Sequence, residues 1–336
     1  MLEVLERNLS NVMALCDWEV GSVMEEFLHK PVLVDEVIEN LAVHPQGVYI
    51  DCTVGEGGHA SAVLGTDLPG IRLLGIDLDS DVLERAKIRL EQHRASLALT
   101  RGNYAQIGSI ALRHGFMEPN GILMDLGISS FQLGRPMRGF SFQKNEPLDM
   151  RFSRDGGITA AYIVNTYSKD ALASLLWKFG DERKADRIAR SIVDQRPIET
   201  TSRLANIVCT VTGGRRGKIH PATRTFQALR IAVNSELVNL EMGLASAIDT
   251  LKPGGRLLVI SYHSLEDRIV KTKFSTEAKD CHCPPSKIVC DCNHTATIKI
   301  ITKHVVVPSR NEILGNPRSR SARMRVIEKL PIRGSR

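Results

Sequence analysis

The chain has 336 residues, of which 43% are hydrophobic and 24% charged, values that are usual for a globular protein of about two domains. It contains no run of about 18 apolar residues and no basic N-terminal stretch followed by an apolar one, so neither a membrane span nor secretion is predicted. The formal net charge is +6, yet residues 183–230 alone hold 11 Lys/Arg against 3 Asp/Glu. This local excess predicts a polyanionic partner, and a solvated helical face is the alternative.

The first 23 residues stand apart from the rest of the chain. They carry four acidic residues and one Arg, which argues against a transit peptide. Met24 could be the true start, or residues 1–23 could form a native N-terminal helix, and the sequence leaves both open. The seven cysteines do not form a disulfide framework, so a reducing cytoplasm is the predicted compartment.

A glycine-dense loop follows the first predicted strand. The strand at 48–51 ends in a carboxylate, the loop runs to Gly58, and a helical segment extends from His59 to about Leu64. Glycines allow positive φ angles and close approach of a ligand. Asp77 ends the next strand, about 20 residues past the loop, where nucleotide-binding βαβ units place the carboxylate that binds ribose hydroxyls. These residues predict an adenosine-containing cofactor.

The loop also indicates which cofactor is bound. It lacks the G-x-G-x-x-G spacing of dinucleotide sites, and the carboxylates of Asp51 and Glu56 would repel a pyrophosphate. They suit a cationic ligand such as S-adenosylmethionine, which carries sulfonium and ammonium groups. A nicotinamide-dependent oxidoreductase is therefore a disfavoured alternative. A tight turn without a ligand is the other alternative, and Asp77 argues against it.

Strands and helices alternate along the first half of the chain. Helical stretches such as 80–93 separate the first four predicted strands, a pattern typical of a parallel, doubly wound α/β sheet. Asp51, Asp77 and Asp125 all lie where strands end, and open α/β sheets bind ligands beyond the carboxyl ends of their strands. The five predicted strands are 48–51, 72–77, 97–100, 121–126 and 256–261.

A gap of about 130 residues separates the fourth and fifth predicted strands, which is too long for a simple crossover. Helical segments fill the gap, so a helical domain inserted into the sheet domain is predicted. A long helix at 221–250 would return the chain to the sheet, and segments 297–302 and 324–328 are predicted to pair as closing strands. The four helical segments of the insert are 159–165, 169–179, 182–194 and 202–211.

Five blocks of sequence occur together in one order. They are Asp51-Cys-Thr-Val-Gly-Glu-Gly-Gly-His59; Asp125-Leu-Gly-Ile-Ser-Ser130 with Gln132; Thr225-Phe-Gln-Ala-Leu-Arg-Ile-Ala-Val-Asn-Ser-Glu236; Pro253-Gly-Gly-Arg-Leu with Ser261-Tyr-His-Ser-Leu-Glu-Asp-Arg268; and Asn316-Pro-Arg-Ser-Arg-Ser-Ala-Arg323. The chain thereby resembles the bacterial small-subunit ribosomal RNA cytosine-N4 methyltransferases, the RsmH/MraW family. The resemblance covers about residues 27–330 and is far more specific than the glycine loop alone.

The resemblance implies a class I S-adenosylmethionine-dependent methyltransferase, with a Rossmann-like doubly wound sheet and an inserted helical domain. It implies methyl transfer from S-adenosylmethionine to the N4 amine of a cytidine in the decoding region of 16S ribosomal RNA. The substrate would be that RNA or the 30S subunit, without a membrane partner, and a homodimer is left open. The expected divisions are an extension at 1–26, a sheet domain at 27–135 and 221–330, a substrate-recognition insert at 136–220, and a tail at 331–336.

The same resemblance assigns residues to the cofactor. Gly57, Gly58 and His59 would line its methionine end, and Asp77 would bind the ribose. Tyr104 would lie beside the adenine, where the family usually has Phe, because an aromatic ring fits the planar apolar face of the base.

Asp125 and Gln132 would complete the pocket. Many amino-methyltransferases have an Asp/Asn-Pro-Pro-aromatic turn at the end of the fourth strand, and here only Asp125 matches it. Asp125 is therefore the candidate catalytic acceptor for the amine, although it could serve the cofactor alone. Phe131 or Tyr262 could stack on a cytosine flipped out of the RNA.

The residues alone leave two other functions open. One is a DNA methyltransferase, and the other is an RNA-binding or assembly factor that keeps the pocket without catalysis. For RNA binding, the basic residues expected to contact phosphates are Arg215, Arg216, Lys218, Arg310, Arg318, Arg320, Arg323 and Arg325.

Four cysteines and the N-terminal extension depart from the family pattern. Cys281, Cys283, Cys290 and Cys292 lie within a dozen residues and could bind zinc as a Cys₄ site. Their C-x-C spacing is tighter than that of common structural zinc sites, so reduced thiols on a surface loop are the favoured interpretation. No catalytic metal is predicted.

Overall fold

Seven strands form one sheet in the order β3-β2-β1-β4-β5-β7-β6 in the computed structural model. The structure describes residues 30–214, 220–283, 287, 289, 291–292 and 294–331. Neighbouring strands from β3 to β5 are parallel, whereas β7 runs antiparallel to β5 and β6 runs antiparallel to β7. The strands are β1 Val48–Asp51, β2 Arg72–Asp77, β3 Leu97–Arg101, β4 Gly121–Asp125, β5 Arg256–Ser261, β6 Ile298–Ile300 and β7 Arg323–Lys329.

The predicted strands agree with these bounds. Each of the first five differs from the observed strand by at most one residue at one end, and the two closing segments pair as expected. The agreement follows from their composition, because short β-branched and leucine-rich runs that end in turn residues are typical of strands buried on both faces. The predicted parallel, doubly wound α/β sheet is confirmed.

The described part of the chain also forms thirteen α-helices. They are α1 Val34–Leu41, α2 Gly58–Leu64, α3 Ser80–Arg89, α4 Ile107–His114, α5 Ser130–Gly134, α6 Ala160–Thr166, α7 Lys169–Gly180, α8 Ala185–Asp194, α9 Thr201–Thr212, α10 Thr223–Asn234, α11 Glu236–Thr250, α12 Ser264–Glu277 and α13 Arg310–Gly315. In the part of the chain that the structure describes, no helix is long and apolar enough to cross a membrane.

Successive strand residues point to opposite faces of the sheet and so enter two different cores. Tyr49 and Leu73 pack with α1, α2 and α3 on one face. Ile50 and Leu74 pack with α4, α11 and α12 on the other. Burial on both faces leaves the carboxyl ends of the strands as the open edge of the sheet domain.

The residues between β4 and α11 form a third hydrophobic core. It joins α6 to α10 through buried residues such as Ile163, Leu176, Ile188, Leu204 and Leu229. This core is separate from the two that flank the sheet, and it includes residues of α10, beyond position 220. The domain boundaries at 135 and 220 stay predictions.

The long helix predicted at 221–250 was wrong, because the chain forms two helices there. Ser235 has φ 51, in the left-handed region, and it separates α10 from α11. The side chain of Asn234 donates to the Met150 carbonyl and accepts from the Phe152 amide, at 2.8 and 2.7 Å. These contacts with a distant loop fix the end of α10, and helix propensity alone does not reveal them.

Candidate functional site

Three carboxylates meet at the carboxyl ends of β1, β2 and β4. Burial raises the pKa of Asp51 and of Asp125 to about 7, and that of Asp77 to about 6. The nearby charges of Asp125 and Asp77 raise the pKa of Asp51 further. Among the described residues, no lysine or arginine forms an ion pair with any of the three. Buried like charges without a counter-ion are unfavourable, so this arrangement favours a cationic ligand.

The glycine loop fixes Asp77 through the backbone. The Gly55 amide donates to one carboxylate oxygen and the Asp79 amide to the other, both at 3.0 Å. Gly55 has φ 53 and Gly57 has φ 81, values that glycine adopts without strain. A Cβ at Gly57 would lie 2.9 Å from the Leu90 side chain. The glycines are thus explained by the turn and its packing, and contact of Gly57 and Gly58 with a cofactor stays a prediction.

Glu56 does not contribute to this negative site as the sequence suggested. Its side chain is buried and accepts a hydrogen bond from Arg85 Nε at 2.7 Å. The Arg85 guanidinium also lies 4.5 Å from the centre of the Phe131 ring, and that of Arg135 lies 5.5 Å from it. Two guanidinium groups therefore already cover the ring that was expected to stack on a base.

His59 lies beside the carboxylates as a neutral imidazole. Burial lowers its pKa, and its Nε2 lies 2.8 Å from the Val32 carbonyl oxygen. A carbonyl can only accept, so Nε2 carries the proton and Nδ1 faces an Asp125 carboxylate oxygen at 3.7 Å. His59 lowers the pKa of Asp51 only in part, because burial still raises that pKa to about 7, so the carboxylates still favour a cation.

Asp125 is positioned from two neighbouring strand ends. Its backbone amide donates to Thr53 Oγ1 at 2.7 Å, and the Tyr262 hydroxyl donates to its carboxylate at 2.8 Å. Thr53 in turn donates its amide to Asp51 at 3.1 Å. The sequence suggested only the ring of Tyr262, as a surface on which a base could stack, yet its hydroxyl fixes the orientation of the candidate acceptor.

Gln132 lies next to Asp79. Its amide nitrogen donates to Asp79 at 3.0 Å, and its amide oxygen accepts from the Ser129 backbone. Arg138 is also buried and pairs with Asp79 at 2.9 Å. Asp79 caps α3, and Asp before a helical run is a recognisable N-cap signal, whereas no sequence pattern marks a buried Arg138. Contact of Gln132 with a cofactor stays a prediction.

Tyr104 follows β3 and packs against α11. A Cβ at Gly243 would lie 2.5 Å from its ring, so only glycine in that turn of α11 allows the close approach. Burial raises the pKa of Tyr104, and the charges of Glu236 and Glu266 raise it further, which keeps the phenol neutral. Contact with adenine stays a prediction.

A buried charged network adjoins Tyr104 and Tyr262. Arg230 binds both oxygens of Glu236 at 2.8 and 2.9 Å, and His263 Nε2 lies 3.2 Å from Glu266. Glu266 also accepts from the Tyr262 and His263 amides. Glu236, His263 and Glu266 could geometrically hold a metal ion. Their existing partners already balance the carboxylates, so we interpret them as a rigid support for the end of β5.

The sheet order, its antiparallel β7, the glycine loop after β1 and the acid at the end of β2 define a class I S-adenosylmethionine-dependent methyltransferase. The carboxylate cluster suits the positive charge of that donor. The MraW methylase family matches residues 26–330, and the chain belongs to this family.

Relatives cover nearly the whole chain. A protein of Dehalococcoides mccartyi is 52% identical over 91% of this chain and 88% of its own length. One of Thermomicrobium roseum is 50% identical over 90% and 94%, and one of Heliobacterium mobile is 46% identical over 91% and 100%. All three are named ribosomal RNA small subunit methyltransferase H.

The raised pKa values predict that cofactor affinity depends on pH. A bound cation favours ionised carboxylates and so lowers the pKa values of Asp51, Asp77 and Asp125, and binding should release protons. The affinity for S-adenosylmethionine should therefore rise as pH increases through about 6 to 7, by at most about tenfold per pH unit for each proton released, and then level off.

Isothermal titration calorimetry in two buffers of different ionisation enthalpy measures the affinity for S-adenosylmethionine and the number of protons released on binding. Asp51→Asn should release fewer protons than the wild type. An affinity that stays constant across this pH range, with no proton release, would contradict the assigned electrostatics.

Proposed function

We propose that the chain transfers a methyl group from S-adenosylmethionine to the N4 amine of a cytidine in the decoding region of small-subunit (16S) ribosomal RNA, and that it does so in the cytoplasm. The shared name of its relatives supports small-subunit ribosomal RNA as the substrate. The main structural support for this reaction is the position of Asp125, whose buried carboxylate lies at the end of β4 and is oriented by Tyr262. The 30S subunit as substrate and a homodimer stay predictions.

A cytosine N4 amine is a poor nucleophile because its lone pair is delocalised into the ring. S-adenosylmethionine supplies an electrophilic methyl group when it is bound. The protein must hold the amine in line with that methyl group and accept hydrogen bonds as positive charge develops on nitrogen. We infer that Asp125 does this, because its carboxylate is fixed by the Tyr262 hydroxyl and is hydrogen-bonded to no cationic side chain among the described residues.

The pKa of Asp125, which burial raises to about 7, suits a proton acceptor near neutral pH. A carboxylate with the ordinary pKa of Asp would be a much weaker base. A bound cofactor cation would lower this pKa and keep Asp125 ionised, and the loss of that positive charge on methyl transfer would make Asp125 the stronger base again when the amine gives up its proton. His59 Nδ1, 3.7 Å from Asp125, is a further acceptor through which the proton could leave.

Asp125→Asn tests this role. The amide keeps the shape of the side chain but cannot take up the proton, so we expect the fold and measurable cofactor binding to persist. Single-turnover methyl transfer at saturating cofactor should fall by about 10²-fold, the scale of losing one transition-state contact. Rapid-quench measurement with labelled S-adenosylmethionine gives the rate, and calorimetry gives the cofactor affinity.

Asp67→Asn is the matched control for that experiment, because Asp67 is exposed after α2 and its φ of 54 is one that Asn tolerates. It should transfer methyl groups at the wild-type rate. If Asp125→Asn also does so, Asp125 serves the cofactor alone, and Ser261 or His263 after β5 becomes the acceptor to test.

RNA contacts are expected from fewer arginines than the sequence suggested. Arg325 pairs with Asp267 at 2.7 Å and Arg230 is buried against Glu236, so the charges of these two are offset within the protein. Arg323 shares the same Asp267 at 3.5 Å and keeps an exposed side chain, so its charge is not fully offset. Residues Arg215, Arg216 and Lys218, which were expected to contact phosphates, lie outside the described residues.

Helix α13 and the turn after it place exposed arginines near the site. Glu312 of α13 accepts from the Leu33 amide at 2.8 Å, and the neighbouring Val32 carbonyl binds His59. Arg310 and Arg320 are exposed on this segment. We infer that they contact RNA phosphates while the target cytidine enters the pocket.

Arg310→Gln combined with Arg320→Gln should lower RNA affinity and reduce the slope of its salt dependence. Each lost phosphate contact reduces the slope of log K against log salt by about 0.7 to 0.9. Filter binding of a small-subunit RNA fragment at several salt concentrations measures this slope.

Arg113→Gln is the control for that pair, because Arg113 is exposed at the end of α4, the helix that leads back to the start of β4. The control should leave the slope unchanged. An unchanged slope in the double variant would show that Arg310 and Arg320 do not contact phosphate.

A further inference from the structure

The two ends of the connection between α12 and β6 meet. Thr297 returns to the end of α12, where its amide donates to the Glu277 carbonyl at 3.0 Å and its hydroxyl to the Glu277 carboxylate at 2.8 Å. The Ala296 amide donates to Asp280 at 3.1 Å. None of the described residues from 279 to 297 is buried. Apolar burial of the described residues therefore does not hold this loop in one shape, whereas a metal cross-link would.

Three thiols converge inside this loop. The sulfur atoms of Cys281, Cys283 and Cys292 all lie within 4.8 Å of one another, and those of Cys281 and Cys292 are 3.7 Å apart. In a tetrahedral zinc–thiolate site with Zn–S bonds of about 2.3 Å, sulfur atoms lie about 3.8 Å apart. The observed separation matches that geometry and is far longer than the roughly 2.05 Å of a disulfide bond.

Backbone amides already point at two of the sulfur atoms. The Cys283 amide donates to Cys281 Sγ at 3.3 Å, and the His282 amide donates to Cys292 Sγ at 3.4 Å. Such donors stabilise thiolate charge and orient metal ligands. The ring of His282 stacks on that of His294 with centroids 3.5 Å apart, which joins the two arms of the loop beside the thiols.

We propose that Cys281, Cys283 and Cys292 bind a structural zinc ion, which goes beyond the methyl transfer. Cys290, the fourth cysteine of the predicted Cys₄ site, lies outside the described residues. Metal binding would displace the thiol protons, including the one that Cys283 donates to Asp291 at 3.6 Å. The ion would fix the chain as it enters β6, the edge strand of the sheet. These thiols lie on a loop outside the strand-end site described above, and thiolate-rich zinc sites are typically structural, so the role of the ion would be to stabilise the loop.

Zinc content of the full-length protein tests this proposal. The protein should be purified under reducing conditions without chelator and analysed by inductively coupled plasma mass spectrometry. The wild type should contain about one zinc ion per chain, and Cys281→Ser combined with Cys292→Ser should lose at least about nine-tenths of it. Cys209→Ser is the matched control, because Cys209 is a half-buried cysteine of α9 outside the loop, and it should keep the wild-type content.

Cobalt substitution in the wild-type chain keeps the proposal testable if the serine variants fail to fold. Co²⁺ added to metal-free protein should give thiolate-to-cobalt charge-transfer absorption and the intense visible bands of a tetrahedral site, and Zn²⁺ should abolish both. Equal zinc in the wild type and the double serine variant would overturn the proposal. Recovery of a disulfide between Cys281 and Cys292 in protein kept reduced would overturn it too.

Discussion

Three desolvated carboxylates lie together at the carboxyl ends of the parallel strands, and they require a positive charge to balance them. Asp51, Asp77 and Asp125 end neighbouring strands, and the raised pKa of each shows that ionisation is costly where they lie. Burial lowers the pKa of His59, so this ring offsets the carboxylates only in part, and the pKa of Asp51 stays raised to about 7. A cationic methyl donor meets this requirement, whereas a pyrophosphate would add to the repulsion. The electrostatics of these strand ends and the chemistry of the class therefore agree.

The fold maintains this arrangement through contacts between strand ends. Thr53 joins the end of β1 to that of β4, and the Gly55 amide joins the loop after β1 to Asp77. Tyr262 joins the end of β5 to Asp125. Glu266 accepts from the Tyr262 amide, and together with the pair of Arg230 and Glu236 it supports that strand end. Because these bonds connect backbone and side chains of rigid elements, a ligand would meet a site that is already positioned.

Local patterns in the sequence predicted the sheet and much of the candidate site. Asp51, Asp77 and Asp125 could be found because each follows a short apolar run, and parallel strands bring their carboxyl ends to one edge. The bond between Tyr262 and Asp125 joins residues 137 positions apart, and that between Arg138 and Asp79 joins residues 59 apart, so no local pattern could reveal either. The break at Ser235 and the pairing of Glu56 with Arg85 were missed for the same reason, since both depend on distant packing.

Nucleoside analysis of small-subunit RNA tests the central claim most directly. RNA from a strain that lacks this chain should be digested to nucleosides and compared, by liquid chromatography and mass spectrometry, with RNA from the parent strain and from the deletion strain that re-expresses the chain. N4-methylated cytidine should disappear from the small-subunit RNA on deletion and return on re-expression. An unchanged amount of N4-methylated cytidine in the deletion strain would contradict it.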